Sequence, residues 1–144
     1  MDKTNSKLLL NSRDIVGNWV ALQTGQTGDW GSFNAFGIDV GGSVAAGVVI
    51  NNINGANATV HIAIAKPSKL LPRLFSVVCD YAYNQLGLLR LTGMVPTDEP
   101  DTIAFDKKIG FEEEFVMKDG APGADMQFLV MWHDKCRWRP NRSL

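Results

Sequence analysis

Cysteine is scarce in this 144-residue chain, and the two present, Cys79 and Cys136, lie far apart in the sequence. They show neither a CxxC motif nor the Cys/His spacing of a zinc site, which argues against metal and dithiol chemistry of those kinds and fits a reducing, cytoplasmic compartment. Histidine is as rare, with only His61 and His133. Charge of either sign is not in excess: 14 Lys and Arg face 15 Asp and Glu, for a formal net charge of -1. That balance supplies no long-range attraction for nucleic acid or an anionic membrane, so neither is an expected partner, and an acidic ligand must be held by local groups. Long apolar runs are also missing. The first residues offer only Leu8, Leu9 and Leu10, too short for a signal peptide or a membrane span. Internal repeats, low-complexity stretches and Ser/Pro linkers are not found. Nor are the GxSxG elbow, the HExxH zinc motif or a Walker-type phosphate loop.

What is present is ample apolar material. A hydrophobic content of 45% over 144 residues is enough for one core without disulfides, so a single domain over 1–144 is expected. Ser12 can cap a helix that carries Ile15, Val16, Trp19 and Val20 on one face and stops at Gly25. Residues 24–32, rich in Gly and Gln, read as a loop and as the most mobile part of the chain. Residues 33–40 and 43–50 are rich in β-formers around Gly41-Gly42, which predicts an antiparallel hairpin. After the turn-forming cluster NNINGAN, residues 58–65 predict a third strand, with Val60, Ile62 and Ile64 on one face and Thr59, His61, Ala63 and Ala65 on the other.

From Leu71 the period changes to that of a helix: Leu71, Leu74, Phe75, Val78, Ala82 and Leu86 share a face, with Gly87 at the end. Residues 88–95 predict a strand. Residues 100–109 predict a second helix, with Asp98, Glu99 and Asp101 at its start, Lys107 and Lys108 at its end, and Gly110 as the stop. Two final strands, 112–118 and 126–132, flank the loop DGAPGAD. The order is helix, three strands, helix, strand, helix, two strands.

That order, together with FDKKIGFEEE (105–114), resembles the GNAT N-acetyltransferase superfamily and its helix end of the KLGFxxEG type. NINGANATVHIA (52–63), CDYAYNQLGLLRLTG (79–93) and ADMQFLVMWHDKCRW (124–138) resemble small GNAT-like proteins encoded in phage and prophage genomes. The resemblance implies an α/β (α+β) fold, a mixed and mostly antiparallel sheet flanked by helices with a splayed central parallel strand pair. It also implies acetyl-CoA as cosubstrate, entering between strands 58–65 and 88–95. The acceptor would be an amine of a small molecule or a protein, and a phage-encoded protein would act in the host cytoplasm. By resemblance, backbone groups of Ala63, Ile64 and Ala65 pair with the pantetheine arm, and an amide near Ala65 polarises the thioester oxygen. The small Ala63 and Ala65 suit close ligand approach or, equally, tight packing of a helix on the sheet.

The pyrophosphate would meet the turn before the long helix, at Leu70 and Leu71. The family's glycine-rich turn is replaced there by KPSKLLPR (66–73), where Pro72 lacks an N–H. Lys66, Lys69 and Arg73 could compensate by charge and Ser68 by its hydroxyl, the alternative being an ordinary solvated basic loop. His61, with an ordinary pKa of about 6.5, is the best candidate base, or else a hydrogen-bonded structural residue; His133 is weaker. A family tyrosine that acts as proton donor is matched by Asp106, which at an ordinary carboxyl pKa would be ionised. Tyr81 and Tyr83 lie on the long helix and could substitute, and Glu99 could attract a cationic acceptor. Cys79 reads as a packing residue, and Trp132 and Trp138 as aromatics packed at the end of the chain rather than nucleic-acid stackers. A second reading is a GNAT-fold phage protein that occupies and modulates a host protein. An exposed last strand with its aromatic end, 132–138, would favour a homodimer.

Overall fold

The computed structural model describes residues 5–141; the outermost residues of the expected unit 1–144 lie outside the described residues. Two segments of β-branched and small residues, β2 (Phe33–Val40) and β3 (Ser43–Asn51), pair antiparallel around Gly41-Gly42, both at positive φ. β4 (Asn57–Ile64) pairs antiparallel with β3, and β1 (Ser6–Leu9) adds to the free edge of β2. β1 was not anticipated: four residues, half of them exposed, carry too little alternation to signal a strand.

α1 (Arg13–Thr24) ends at Gly25, whose left-handed conformation (φ 71°) closes the helix as expected. It lies on one face of the sheet, where Val16, Val20 and Ala21 meet Trp30, Ala35, Val49 and Ala63. A side chain at Gly47 would place its Cβ 2.8 Å from Val20, so glycine there sets how closely α1 approaches the sheet. Trp30 fixes the loop 24–32 by inserting its ring into this cluster and donating Nε1–H to Gly17 O at 3.0 Å.

α2 (Leu71–Cys79) and α3 (Pro100–Ile109) cover the opposite face, with Phe36, Val48, Ile50, Val60, Leu74, Phe75, Val78, Leu91 and Leu129 in one core. The predicted long helix does not continue as an α-helix. Residues Asp80–Gln85 widen into a π-helical turn, in which the buried Asp80 carboxylate accepts Asn84 Nδ2 at 2.8 Å and Gln85 Nε2 at 3.0 Å. These bonds span four and five residues, and the longer one suits a wider turn.

β5 (Arg90–Pro96), β6 (Glu112–Ala121) and β7 (Ala124–Trp132) complete a seven-stranded sheet of order β1-β2-β3-β4-β5-β7-β6. β4 and β5 are parallel, and the other neighbours are antiparallel. The expected loop 119–125 is mostly strand, closed by a short turn at Pro122-Gly123 and irregular in register after Met117. The last strand is not at an edge: β7 lies between β5 and β6, and β6 is the edge strand. Non-local pairing decided this, because β7 matches β5 over seven residue pairs. Among the described residues no helix is long and apolar enough to cross a membrane.

Candidate functional site

β4 and β5 pair only through Asn57–Thr59 and Arg90–Thr92. At that end the seam is locked by side chains: Thr92 Oγ1 donates to Asn57 Oδ1 at 2.7 Å, and Arg90 reaches Thr92 while gripping Glu114 through both terminal nitrogens. Beyond it β4 stays with β3 as far as Ile64, and β5 stays with β7 as far as Pro96, so the two strands part. The gap is a cavity of about 570 Å³. Its walls are His61, Ile62, Ala63 and Ile64 of β4 and Gly93 to Pro96 of β5. Glu99, Thr102 and Asp106 close it from the α3 side, and Gln23, Thr24 and Gln26 from the end of α1.

The backbone of β4 is polarised across this gap. Ala65 N–H donates to Ala45 O at 2.8 Å, and Lys66 N–H to the same oxygen at 3.3 Å. Antiparallel pairs alternate between bonded and non-bonded, so Ala63 also turns its N–H and C=O to β3, whereas Ile62 and Ile64 turn theirs toward the gap. Of the three residues expected to offer free backbone, Ile64 does so, while Ala63 and Ala65 are engaged with β3. Ile62, not singled out from sequence, takes their place. Ala63 is buried beneath α1, the helix-packing alternative for a small side chain.

His61 stands on the α1 face of β4. Its ring lies 4.7 Å from the Trp30 ring, centroid to centroid, and Nε2 is 3.0 Å from Asn51 Oδ1. Asn51 donates its own Nδ2 to Trp30 O at 3.2 Å, which turns the amide oxygen to the histidine. Nε2 therefore carries the hydrogen and Nδ1 the lone pair. Gln26 Nε2 lies 3.5 Å from Nδ1, on the cavity side. Burial pushes the imidazole down to about pKa 4, so it is neutral throughout the physiological range. Gln26 comes from the loop 24–32 and was missed; a Gln-rich loop has no signal that names its target.

Asp106 faces the cavity from α3, 8% exposed. Among the described residues its carboxyl has no hydrogen-bond or ion-pair partner, and burial pushes its pKa up to about 7. An aspartate of ordinary pKa would be ionised here, whereas burial keeps part of Asp106 in the acid form near neutrality. The two tyrosines are elsewhere. Tyr83 is buried and donates its hydroxyl to Met131 O at 2.7 Å, and Tyr81 packs its ring edge-on against Phe36. His133 lies past β7 beside Arg139, away from the cavity.

The basic turn leads into α2. Ser68 Oγ accepts the Leu70 N–H at 3.1 Å and Ser68 O accepts that of Leu71 at 3.3 Å, while Pro72 has none. The helix start thus spends on itself the amides expected to bind phosphate. Lys66, Lys69 and Arg73 are exposed and form no ion pair among the described residues.

No family model matches the sequence, and no curated protein matches it. Solved structures do match in fold. A spermidine N-acetyltransferase SpeG chimera from Vibrio cholerae and hSSAT superposes with a TM-score of 0.66 at 18% identity, over 92% of this chain and 98% of that one. A Vibrio cholerae SpeG mutant gives a TM-score of 0.70 at 13% identity, covering 92% and 96%. A dodecameric spermidine N-acetyltransferase from the same organism gives 0.69 at 15%, with the same coverage. At such identities the likeness is one of architecture, and the architecture of this chain, with its parted parallel strands, is that of the GNAT N-acetyltransferase fold.

Proposed function

We propose that the protein is an acetyl-CoA-dependent N-acetyltransferase that passes the acetyl group directly to an amine. The observation that carries this reading is the gap between β4 and β5, with free backbone groups at Ile62 and Ile64 and a neutral histidine on the adjoining face. The residues present fit the cofactor: Ile62 and Ile64 would hold an amide-bearing arm as an added strand, and the Ile64 N–H would polarise a carbonyl oxygen. Lys66, Lys69 and Arg73, with Ser68, would hold the phosphates by charge in place of helix-start amides. The bound cosubstrate supplies an acetyl group activated as a thioester.

His61 Nδ1 takes a proton from the incoming amine, with Asn51 holding the tautomer. Asp106, part of it in the acid form near neutrality, supplies one to the departing sulfur. Glu99 offers a carboxylate to a cationic acceptor, and spermidine, named for the structural neighbours, is the first amine to try. A cytoplasmic setting, of a host cell if the chain is phage-encoded, suits these substrates.

Acetyl-CoA or coenzyme A at about 100 times Kd should add roughly 2–3 kcal/mol of stability, visible as a rise in Tm. Lys66→Glu with Lys69→Glu should weaken binding on the order of tenfold or more without unfolding the protein. No heat in titration calorimetry and no Tm shift at millimolar ligand would remove the reading. A second reading, a protein of this fold that acts by binding a host protein, is favoured by one observation, the consumption of the Leu70 and Leu71 amides by Ser68. Failed cofactor binding would shift the weight to it.

Self-association belongs to β6 rather than to the last strand. Its outer edge is unpaired, and Phe115, Val116 and Met117 are 45–51% exposed. Light scattering should give the mass of a dimer, and Val116→Lys should return the monomer. A monomeric wild type at high concentration would exclude this edge as an interface.

A further inference from the structure

The two cysteines, far apart in the sequence, meet in the fold. Cys79 ends α2 and Cys136 follows β7, 57 residues later, yet their sulfur atoms are 3.1 Å apart. The contact is held from both sides. Trp138 Nε1 donates to Ile109 O at 2.7 Å, and its ring packs 5.3 Å from that of Phe75 on α2. Arg139 Nε donates to Asn84 Oδ1 at 2.7 Å, and Asn84 Nδ2 to Pro140 O at 3.1 Å. The segment after β7 is thereby folded across α2 and the end of α3, with one thiol buried and the other partly open to solvent.

We propose that Cys79 and Cys136 form a reversible intramolecular disulfide, a redox clip that fastens the C-terminal segment to α2. The two thiols divide the chemistry. The hydrogen bond with Cys79, backbone N–H groups of Trp138 and Arg139 and the Arg139 charge bring Cys136 below the usual thiol range, which makes it the readier of the two to act as a thiolate. The contact with Cys136 and burial push Cys79 up, and it stays a thiol. With hydrogen peroxide as oxidant, the Cys136 thiolate attacks one peroxide oxygen, the O–O bond breaks, and the sulfur becomes a sulfenic acid while hydroxide leaves. Cys79 sulfur then attacks the sulfenic sulfur, the S–O bond breaks, and water departs with the Cys79 proton as the S–S bond forms. A dithiol reductant returns both thiols and is itself oxidised to its disulfide. The proposal does not depend on acetyl transfer.

The test is intact mass and thiol counting on the full chain. Hydrogen peroxide at low molar excess should remove the mass of two hydrogens from a monomer and leave no thiol to alkylate after unfolding, and dithiothreitol should restore both. Closing a long loop should raise Tm by roughly 5–10 °C in the oxidised form. In Cys79→Ser, Cys136 should stop at a sulfenic acid trapped by dimedone. Two alkylatable thiols after oxidation, oxygen adducts in place of the cross-link, or disulfides only between chains would each overturn the proposal. An unchanged or lower Tm of the disulfide form would overturn the clip.

Discussion

Replacing His61 by alanine is expected to lower turnover about 10²-fold or more while leaving acetyl-CoA affinity nearly unchanged, the usual contribution of a general base. The same change should cost about 1–3 kcal/mol of stability, because Asn51 Oδ1 loses its donor in a partly buried site and Trp30 loses a packed ring. The two effects separate with His61→Gln. A glutamine amide can still donate to Asn51, so stability should largely return, but it has no basic lone pair and turnover should stay low. The pH profile is equally diagnostic. Since burial holds the imidazole at about pKa 4, kcat should not fall through protonation of this group until well below pH 6.5. A His61→Ala protein that transfers acetyl as fast as wild type, or a base limb centred near pH 6.5, would dismiss His61 from this role.

The second large effect is on stability and arises because two titratable groups of the cavity, the buried Asp106 and the part-buried His61, are shifted in opposite directions. Asp106 has a folded pKa of about 7 against 3.8 in its ordinary state, so between those values the folded protein holds the extra proton, and stability falls as pH rises. His61 has a folded pKa of about 4 against 6.5, so in that window the unfolded chain holds the extra proton, and stability rises with pH. The contributions are on the order of 4 kcal/mol for Asp106 and 3 kcal/mol for His61, and in the wild type their pH dependences nearly cancel between pH 4 and pH 6.5. Asp106→Asn removes one side. Its stability should climb by a few kcal/mol between pH 4 and 6.5, and at pH 8 it should exceed that of wild type, which there carries a buried carboxylate with no partner among the described residues. Urea unfolding at three pH values reads this directly. Parallel curves for wild type and Asp106→Asn would show that the carboxyl is not desolvated, and its role as proton donor would go with it.

Much of the local structure was legible because it is decided locally. Gly41-Gly42, Gly25 and Gly110 punctuate β2, β3, α1 and α3 where expected, since a positive φ is a property of one residue and its neighbours. The period-2 pattern of β4 likewise separated Val60, Ile62 and Ile64, which the fold packs with α2 and α3, from His61 and Ala63, which it turns toward α1. The π-turn was not legible, because it depends on which of Asn84 and Gln85 the Asp80 carboxylate reaches, and a heptad-like pattern reads through it.

By itself the sequence determined the alternation of faces, the helix ends, the balance of charge and the types of group that line β4. Tertiary structure alone decided the rest. Which backbone groups of β4 are free depends on its register with β3, and one residue of slip would exchange Ile64 for Ala65. The tautomer of His61 depends on Asn51 and Trp30, which reach it from different segments of the chain. The acidity of Asp106, the interior place of β7 and the meeting of Cys79 with Cys136 follow the same rule. Each is set by groups distant in the chain, where burial and pairing fix energies that residue type does not carry.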